Sequence, residues 1–123
     1  MGCIVNVDTK GKRFTLDLYE DRGLGGDHWV VTESGQAGKI PNDEVTSFVL
    51  RGDVGVRVEF FNHPTKPKDA ETWAEAEITA PGEVISVGNM RASGAGYTHH
   101  KHPKHDNIDG KVSKIVIADR ALE

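Results

Sequence analysis

The sequence predicts an all-β protein, an antiparallel β-sandwich, and three observations indicate this class. Short stretches in which apolar and polar residues alternate recur along the chain, as they do in strands with one buried face. The 14 glycines and 5 prolines among 123 residues mark frequent turns. Apolar residues at helical spacing are scarce, so a helical fold is disfavoured.

The predicted strands follow this alternation in chain order. Phe14, Leu16 and Leu18 share one face of the first well-marked strand. The same period-two spacing recurs at Val54, Val56, Val58 and Phe60, then at Ala74, Ala76 and Ile78, and finally at Ile115 and Ile117. Eight strands are therefore predicted, at 3–8, 12–20, 28–33, 45–51, 54–62, 72–79, 83–88 and 112–118.

Turn residues separate most of these strands, at Thr9-Lys10-Gly11, 23–26, 51–53, 64–67 and 81–82. The segment 69–77 has a helix-forming composition, but its alternation favours a strand. The connection 89–110 is unusually long and lacks periodicity, which is typical of a functional or partly disordered loop.

The chain also contains an internal repeat. Extended segments end at Tyr19 and at Phe61, and each precedes a β-like segment with a tryptophan, Trp29 or Trp73. Later in each half, an acidic turn with a hydroxyl residue leads into an apolar strand. Two four-strand units of similar order predict paired Greek keys. The predicted single domain spans 1–123, with the first Greek key at about 3–51 and the second at about 54–119.

On these residues the chain resembles the βγ-crystallin superfamily. Tyr19 and Gly25 stand at the fixed positions of that family's aromatic-to-glycine hairpin, where a glycine permits the positive φ of the turn. Residues 42–47 match the family's calcium pattern of two Asn or Asp residues, two variable residues, then Ser or Thr and Ser. The resemblance implies a sandwich of two Greek keys that binds Ca²⁺ and is stabilised by it.

The second half matches the calcium pattern at Asp109 and Ser113 and departs from it at Gly110 and Lys114. Gly110 removes a side-chain oxygen, and Lys114 brings a cation close to the place of a divalent ion. In the family the two motifs lie side by side and share two sites, so one good site is expected here rather than two. By resemblance, main-chain carbonyls near the hairpin ends complete the coordination. The candidate calcium ligands are therefore Asp21, Asn42, Asp43, Glu44, Thr46, His63, Asp109, Lys111 and Ser113.

Calcium chemistry fits the first turn. The ion takes six to eight oxygens at about 2.3–2.6 Å. Asn42, Asp43 and Thr46 offer three side-chain oxygens, and Glu44 adds a main-chain carbonyl and negative potential. Few formal charges indicate an affinity on the order of micromolar to sub-millimolar. The same residues are also ordinary turn chemistry, in which side chains cap their own main chain, and the sequence leaves that alternative open.

Four of the six histidines, His99, His100, His102 and His105, lie in the long connection. Neutral imidazoles bind zinc, nickel or copper, so a transition-metal site is one alternative. A solvated loop that becomes more cationic as pH falls through about 6.5 is another. A third is a non-catalytic interaction module, inhibitor-like or toxin-like, that contacts an unknown protein partner through residues 89–110.

Composition bounds the remaining functions. The net charge of −4 disfavours nucleic acid and anionic membranes as partners. No stretch approaches the roughly 18 apolar residues of a membrane span. The chain lacks Gly-x-Ser-x-Gly, His-Glu-x-x-His and phosphate-loop motifs, so we expect a non-enzyme. The single Cys3 permits no intramolecular disulfide, and the amino terminus lacks a signal-peptide pattern, which together favour the cytoplasm. A monomer is expected, because no long apolar stripe stays unassigned.

Overall fold

The structure is a computed structural model that describes residues 2–65 and 68–120. Within these residues, the regular elements are strands and one 3₁₀ turn at Lys68–Ala70. The strands are β1 (Ile4–Asp8), β2 (Phe14–Asp21), β3 (Gly25–Thr32), β4 (Gly35–Ala37), β5 (Ser47–Gly52), β6 (Val56–Phe61), β7 (Trp73–Glu77), β8 (Val84–Val87), β9 (Tyr97–His100) and β10 (Lys114–Asp119). The all-β prediction is confirmed.

The strands form two five-stranded sheets, ordered β1-β10-β6-β7-β9 and β4-β3-β2-β5-β8. Neighbouring strands are antiparallel except β1 and β10, which run parallel. Aromatic rings join the sheets through the core: Phe48 of β5 lies 4.8 Å from Phe60 of β6 and 5.5 Å from Tyr97 of β9, between ring centroids. This arrangement is sandwich-like.

The predicted apolar faces form the core. Phe14, Leu16 and Leu18 of β2 are buried, as are the alternating residues of β6, β7 and β10. Val54 is an exception: it is 43% exposed, because Asp53 to Gly55 form a turn and β6 begins only at Val56. The period-two pattern therefore identified the buried faces of β2, β6, β7 and β10.

The segment 89–110 differs from the predicted loop. It contains β9, which pairs with β7, and it places Met90, Tyr97 and Ile108 in the core. The Tyr97 hydroxyl donates to the Met90 carbonyl at 2.7 Å. Because only one residue of β9 is buried, the strand shows no alternation that the sequence could reveal. The short edge strand β4 was likewise not predicted.

The internal repeat is visible in the strand pairing. Tyr19 pairs with His28, and Phe61 pairs with Trp73. Each pair stacks its rings nearly parallel, with centroids 4.6 Å and 6.1 Å apart. The equivalent of Trp73 is therefore His28 rather than Trp29, which sets the repeat one residue away from the predicted match.

Some predictions fall outside the described residues. These are the second half of the 64–67 turn, at Lys66 and Pro67, and the ends of the predicted domain, at Met1 and 121–123. In the described part of the chain, no helix is long and apolar enough to cross a membrane.

Candidate functional site

Two turns interlock between the halves of the chain, turn A (residues 42–47) and turn B (residues 109–114). The Asp43 amide donates to the Val112 carbonyl at 3.0 Å, and the Gly110 amide donates to the Val45 carbonyl at 3.1 Å. The two bonds are equivalent, because in each the second residue of one turn donates to the fourth residue of the other. The residues of the two calcium-pattern matches therefore lie side by side and bond to each other reciprocally.

Each turn is also fastened to its own hairpin in the same way. The Thr46 amide donates to the Tyr19 carbonyl at 3.0 Å, and the Ser113 amide donates to the Phe61 carbonyl at 2.8 Å. On the other side, the Thr46 carbonyl accepts from Met90, and the Ser113 carbonyl accepts from Ile4. The main chain thus repeats its bonding at both turns.

The second position of each turn has a left-handed backbone. Asp43 has φ 60° and Gly110 has φ 69°. Asp tolerates this conformation better than most residues, and Gly adopts it freely. A Cβ at Gly110 would lie 3.9 Å from the Asp43 carbonyl oxygen and 4.0 Å from Thr46 Cγ2, which are ordinary contacts. Position 110 therefore has room for a side chain beside Thr46.

A β-bulge supplies oxygens at the end of the first hairpin. The register of β2 against β3 shifts between Tyr19 and Asp21. The Glu20 carbonyl there accepts from Thr46 Oγ1 at 2.7 Å, and the Asp21 carbonyl accepts from Ser47 Oγ at 2.6 Å. The predicted carbonyl near Asp21 therefore lies at turn A.

The glycine that this hairpin requires is not Gly25. Gly26 has φ 75°, and a Cβ there would lie 2.8 Å from Asp21 Cγ. A Cβ on Gly25 would lie 3.8 Å from its nearest neighbour, an ordinary contact. The positive φ predicted for Gly25 belongs to Gly23 and Gly26.

The first residue of each turn buries an oxygen that has no hydrogen-bond partner. These atoms are Asn42 Oδ1 and Asp109 Oδ1, which occupy equivalent positions. A buried polar atom without a partner costs free energy, so its presence calls for an explanation such as a bound ion or water.

The other oxygen of Asp109 is strongly paired. Asp109 Oδ2 accepts from Arg22 Nη2 at 2.8 Å and from Arg91 Nε at 2.9 Å, and the side chain is only 5% exposed. Arg22 lies at the tip of the first hairpin, and Arg91 follows Met90. Sequence reasoning missed both arginines, because no pattern links residues that lie 87 and 18 positions from Asp109.

The second hairpin end holds a buried carboxylate. The His63 amide donates to Glu71 Oε1 at 2.7 Å, and Glu71 Oε2 is buried without a partner. Burial raises the pKa of Glu71, against the lowering effect of the bond from His63. No pattern in the sequence pointed to Glu71, which lies in a polar stretch before β7.

The variable residues of the turns carry opposite charges. Glu44 and the exposed Lys111 hold equivalent positions in turns A and B. The carboxylates of Asp27, Asp21 and Glu44 raise the pKa of Glu20, Asp27 most of all, together with burial. Acidic side chains therefore gather at the rim of turn A.

The four candidate histidines serve the fold rather than a shared centre. His99 Nε2 accepts from the Ile108 amide at 3.0 Å, and His102 Nδ1 accepts from the Lys104 amide at 3.0 Å. His100 Nε2 lies 2.7 Å from Glu75 Oε2, and the His100 ring stacks on Trp73. The ring centroids of His105 and His102 lie 4.7 Å apart. The lone pairs that a metal would need on His99 and His102 are already used.

No group of three or more His, Cys, Asp or Glu side chains that could hold a metal ion occurs in the described ranges 2–65 and 68–120. A calcium site at the turns would therefore depend on carbonyl, amide and hydroxyl oxygens for most of its ligands. Calcium accepts such ligands, whereas zinc and copper prefer nitrogen and sulfur.

Cys3 lies beside the turns. Its thiol donates to the carbonyls of Val112, at 3.2 Å, and Pro41, at 3.3 Å. Burial and the charge of Asp43 raise the pKa of the Cys3 thiol to about 11. At neutral pH this thiol is protonated, which makes it a poor nucleophile.

Comparisons with protein-family models, with curated proteins and with solved structures find no match. The βγ-crystallin resemblance therefore stays a prediction.

Proposed function

We propose that this protein is a calcium-binding domain of the βγ-crystallin type, in which Ca²⁺ bound at turns A and B stabilises the contact between its two Greek keys. The observation that carries the proposal is the reciprocal pairing of the turns, through Asp43 with Val112 and Gly110 with Val45. This pairing brings both matches to the calcium pattern to one place, although equivalent residues of the two turns, such as Asp43 and Gly110, lie 67 positions apart in the chain.

The oxygens at this place suit a hard cation. Thr46 Oγ1 and the Glu20 carbonyl oxygen lie 2.7 Å apart, a spacing at which two oxygens can share one ion at about 2.3–2.6 Å from each. Asn42 Oδ1, in the same turn as Thr46, is buried and has no hydrogen-bond partner. A bound cation would give such an oxygen the partner that it lacks.

The charges around turn A favour cations. Asp27, Asp21 and Glu44 are close enough to Glu20 to raise its pKa. Such a rim raises the local concentration of divalent cations and speeds their association. The bound ion would cross-link the two turns. This role requires no redox or covalent chemistry.

The functional consequence is stabilisation. An ion that binds only the folded state adds about 2.7 kcal/mol when its free concentration is one hundred times the dissociation constant. We therefore expect the protein to respond to calcium mainly through its resistance to unfolding.

The test is isothermal titration of CaCl₂ into chelator-treated protein, with thermal melts in parallel. Asp43→Gly removes the carboxylate while keeping a left-handed backbone, as Gly110 does at the equivalent position. We expect saturable binding and a raised Tm in the unsubstituted protein, and affinity at least about tenfold lower in Asp43→Gly, the loss of one charged ligand.

Asp8→Asn is the matched control, because Asp8 is an exposed carboxylate on edge strand β1 and its loss should leave the affinity unchanged. If neither heat nor a Tm shift accompanies calcium, the turns are structural and the proposal is wrong.

A further inference from the structure

Two arginines line a cleft at the start of β2, at the opposite end of this strand from turn A. The cleft has a volume of about 250 Å³, and Arg13 and Arg51 both contribute to its wall. In the part of the chain that the structure describes, neither arginine forms an ion pair. The remaining arginines each pair with a carboxylate: Arg22, Arg57, Arg91 and Arg120. The cleft therefore collects the arginines whose charge is not used within the fold.

Strand pairing places a hydroxyl beside these arginines on the outer face of the sheet. Arg51 of β5 pairs with Thr15 of β2, and each directly follows a buried residue, Leu50 or Phe14. Because successive side chains of a strand point to opposite faces, Arg51 and Thr15 point away from the core. Thr15 also lines the cleft, and its hydroxyl makes no hydrogen bond to another described residue. It is therefore a further donor at the same place.

The acidic residues of the cleft are engaged by main-chain amides. Asp53 Oδ2 accepts from the Arg13 amide at 2.8 Å, and Glu33 Oε1 accepts from the Phe14 amide at 3.2 Å. The Asp53 amide donates back to the Arg13 carbonyl at 2.9 Å. A Cβ on Gly52 would lie 2.5 Å from that carbonyl oxygen, so glycine is needed for this close approach. These contacts fix the strand ends that carry the two arginines.

We propose that this cleft binds the phosphate group of a small molecule, through Arg13, Arg51 and the Thr15 hydroxyl. A guanidinium group presents forked N–H donors that match the oxygens of phosphate. Two such forks and a hydroxyl suit an anion with three or four acceptor oxygens better than a single carboxylate with two. The volume of about 250 Å³ lies below the roughly 300–1,000 Å³ of sites for drug-sized ligands, so the ligand is small.

Charge sets the strength of this site. Glu33 and Asp53 carry negative charges that oppose those of the ligand and limit its affinity. We expect a dissociation constant on the order of millimolar for inorganic phosphate. The net charge of −4 gives the protein no general attraction for anions, so saturable binding depends on the donors of the cleft. The site is independent of the proposed calcium binding.

An NMR titration with inorganic phosphate tests the site, at constant ionic strength and with chelator present to remove calcium. We expect saturable shifts of the Thr15 amide and of the Nε–H signals of Arg13 and Arg51. Arg13→Gln/Arg51→Gln should bind phosphate at least about tenfold more weakly, since charge-assisted hydrogen bonds are lost. Lys101→Gln/Lys104→Gln removes the same charge from two exposed lysines outside the cleft and should keep the affinity within about twofold. No saturable shift, or equal losses in the two double variants, would overturn the proposal.

A charge-preserving variant separates forked recognition from general attraction. Arg13→Lys/Arg51→Lys keeps both positive charges and replaces the planar guanidinium groups with ammonium groups, which act as point charges. We expect the affinity for phosphate to fall at least about fivefold. Because both side chains lie at the surface, Tm measured in parallel should change little in each variant. Unchanged affinity would show that charge alone attracts the anion and would overturn the assignment of a phosphate site.

Discussion

One buried hydroxyl, that of Thr72, fastens the histidine-rich segment to the sheet. Thr72 is fully buried directly before β7. Its Oγ1 donates to the Asp106 carbonyl at 2.7 Å and accepts from the His102 amide at 3.0 Å. Thr72→Val keeps the shape of the side chain and removes both bonds. At roughly 1 kcal/mol each, their loss costs about 2 kcal/mol, or a fall in Tm of about 8 °C for a domain of this size.

Hydrogen exchange locates the effect. If the loss of about 2 kcal/mol makes local opening of the segment easier, the His102 amide should exchange about 30-fold faster in Thr72→Val, since 1.4 kcal/mol corresponds to a factor of ten. Thr98→Val, at an exposed position of β9, is the matched control and should change neither Tm nor exchange appreciably. Unchanged exchange at His102 in Thr72→Val would refute the argument that this hydroxyl orders the segment.

Three further predictions concern single residues. Gly26→Ala should cost about 2 kcal/mol, from a positive φ and a 2.8 Å contact, whereas Gly25→Ala should be tolerated; equal Tm values in denaturation scans would contradict this. Burial, with its cationic neighbours, lowers the pKa of His99, so its stabilisation is complete above the unfolded value of about 6.5 and is lost as pH falls below it. His99→Gln should therefore flatten the dependence of Tm on pH between 7 and 5, and an unchanged slope would argue against it. Alkylation of Cys3 at pH 8 should be about 100-fold slower in native than in urea-unfolded protein, because raising the pKa from 9.0 to about 11 makes the thiolate that much scarcer. Comparable rates would show that the thiol is not shielded.

The sequence predicted those parts of the fold that depend on local alternation. The face shared by Phe14, Leu16 and Leu18 is buried as expected, because a strand with one face on the core must place every second residue inside. β9 was missed for the converse reason, since Tyr97 is its only buried residue. Strand order was also beyond local pattern: nothing in the sequence of β1 says that it runs parallel to β10.

In the candidate site, too, local sequence pattern was predictive and contacts between distant segments were missed. The calcium-pattern match located turns A and B, because their residues are contiguous in the chain. It did not find Arg22, Arg91 or Glu71, whose roles arise from contacts between distant segments. The hairpin glycine was placed one residue early, since several glycines follow Tyr19 and only the backbone angles identify Gly26 as the one whose Cβ would collide with Asp21.

The interlock of turns A and B is made by main-chain groups, which almost any residues can supply. Its geometry is kept where the side chains differ, because Asp43 and Gly110 adopt nearly the same conformation and donate equivalent bonds. We therefore expect the turn conformations to form without an ion, so that calcium adds stability to a fold that already exists. Chelator-treated protein should keep its far-UV circular dichroism while losing the calcium-dependent part of its Tm, about 10 °C for the 2.7 kcal/mol expected at one hundred times the dissociation constant. Loss of the strand signal on chelation would instead mean that the ion organises the turns, and that the hydrogen bonds between the turns form only when the ion is bound.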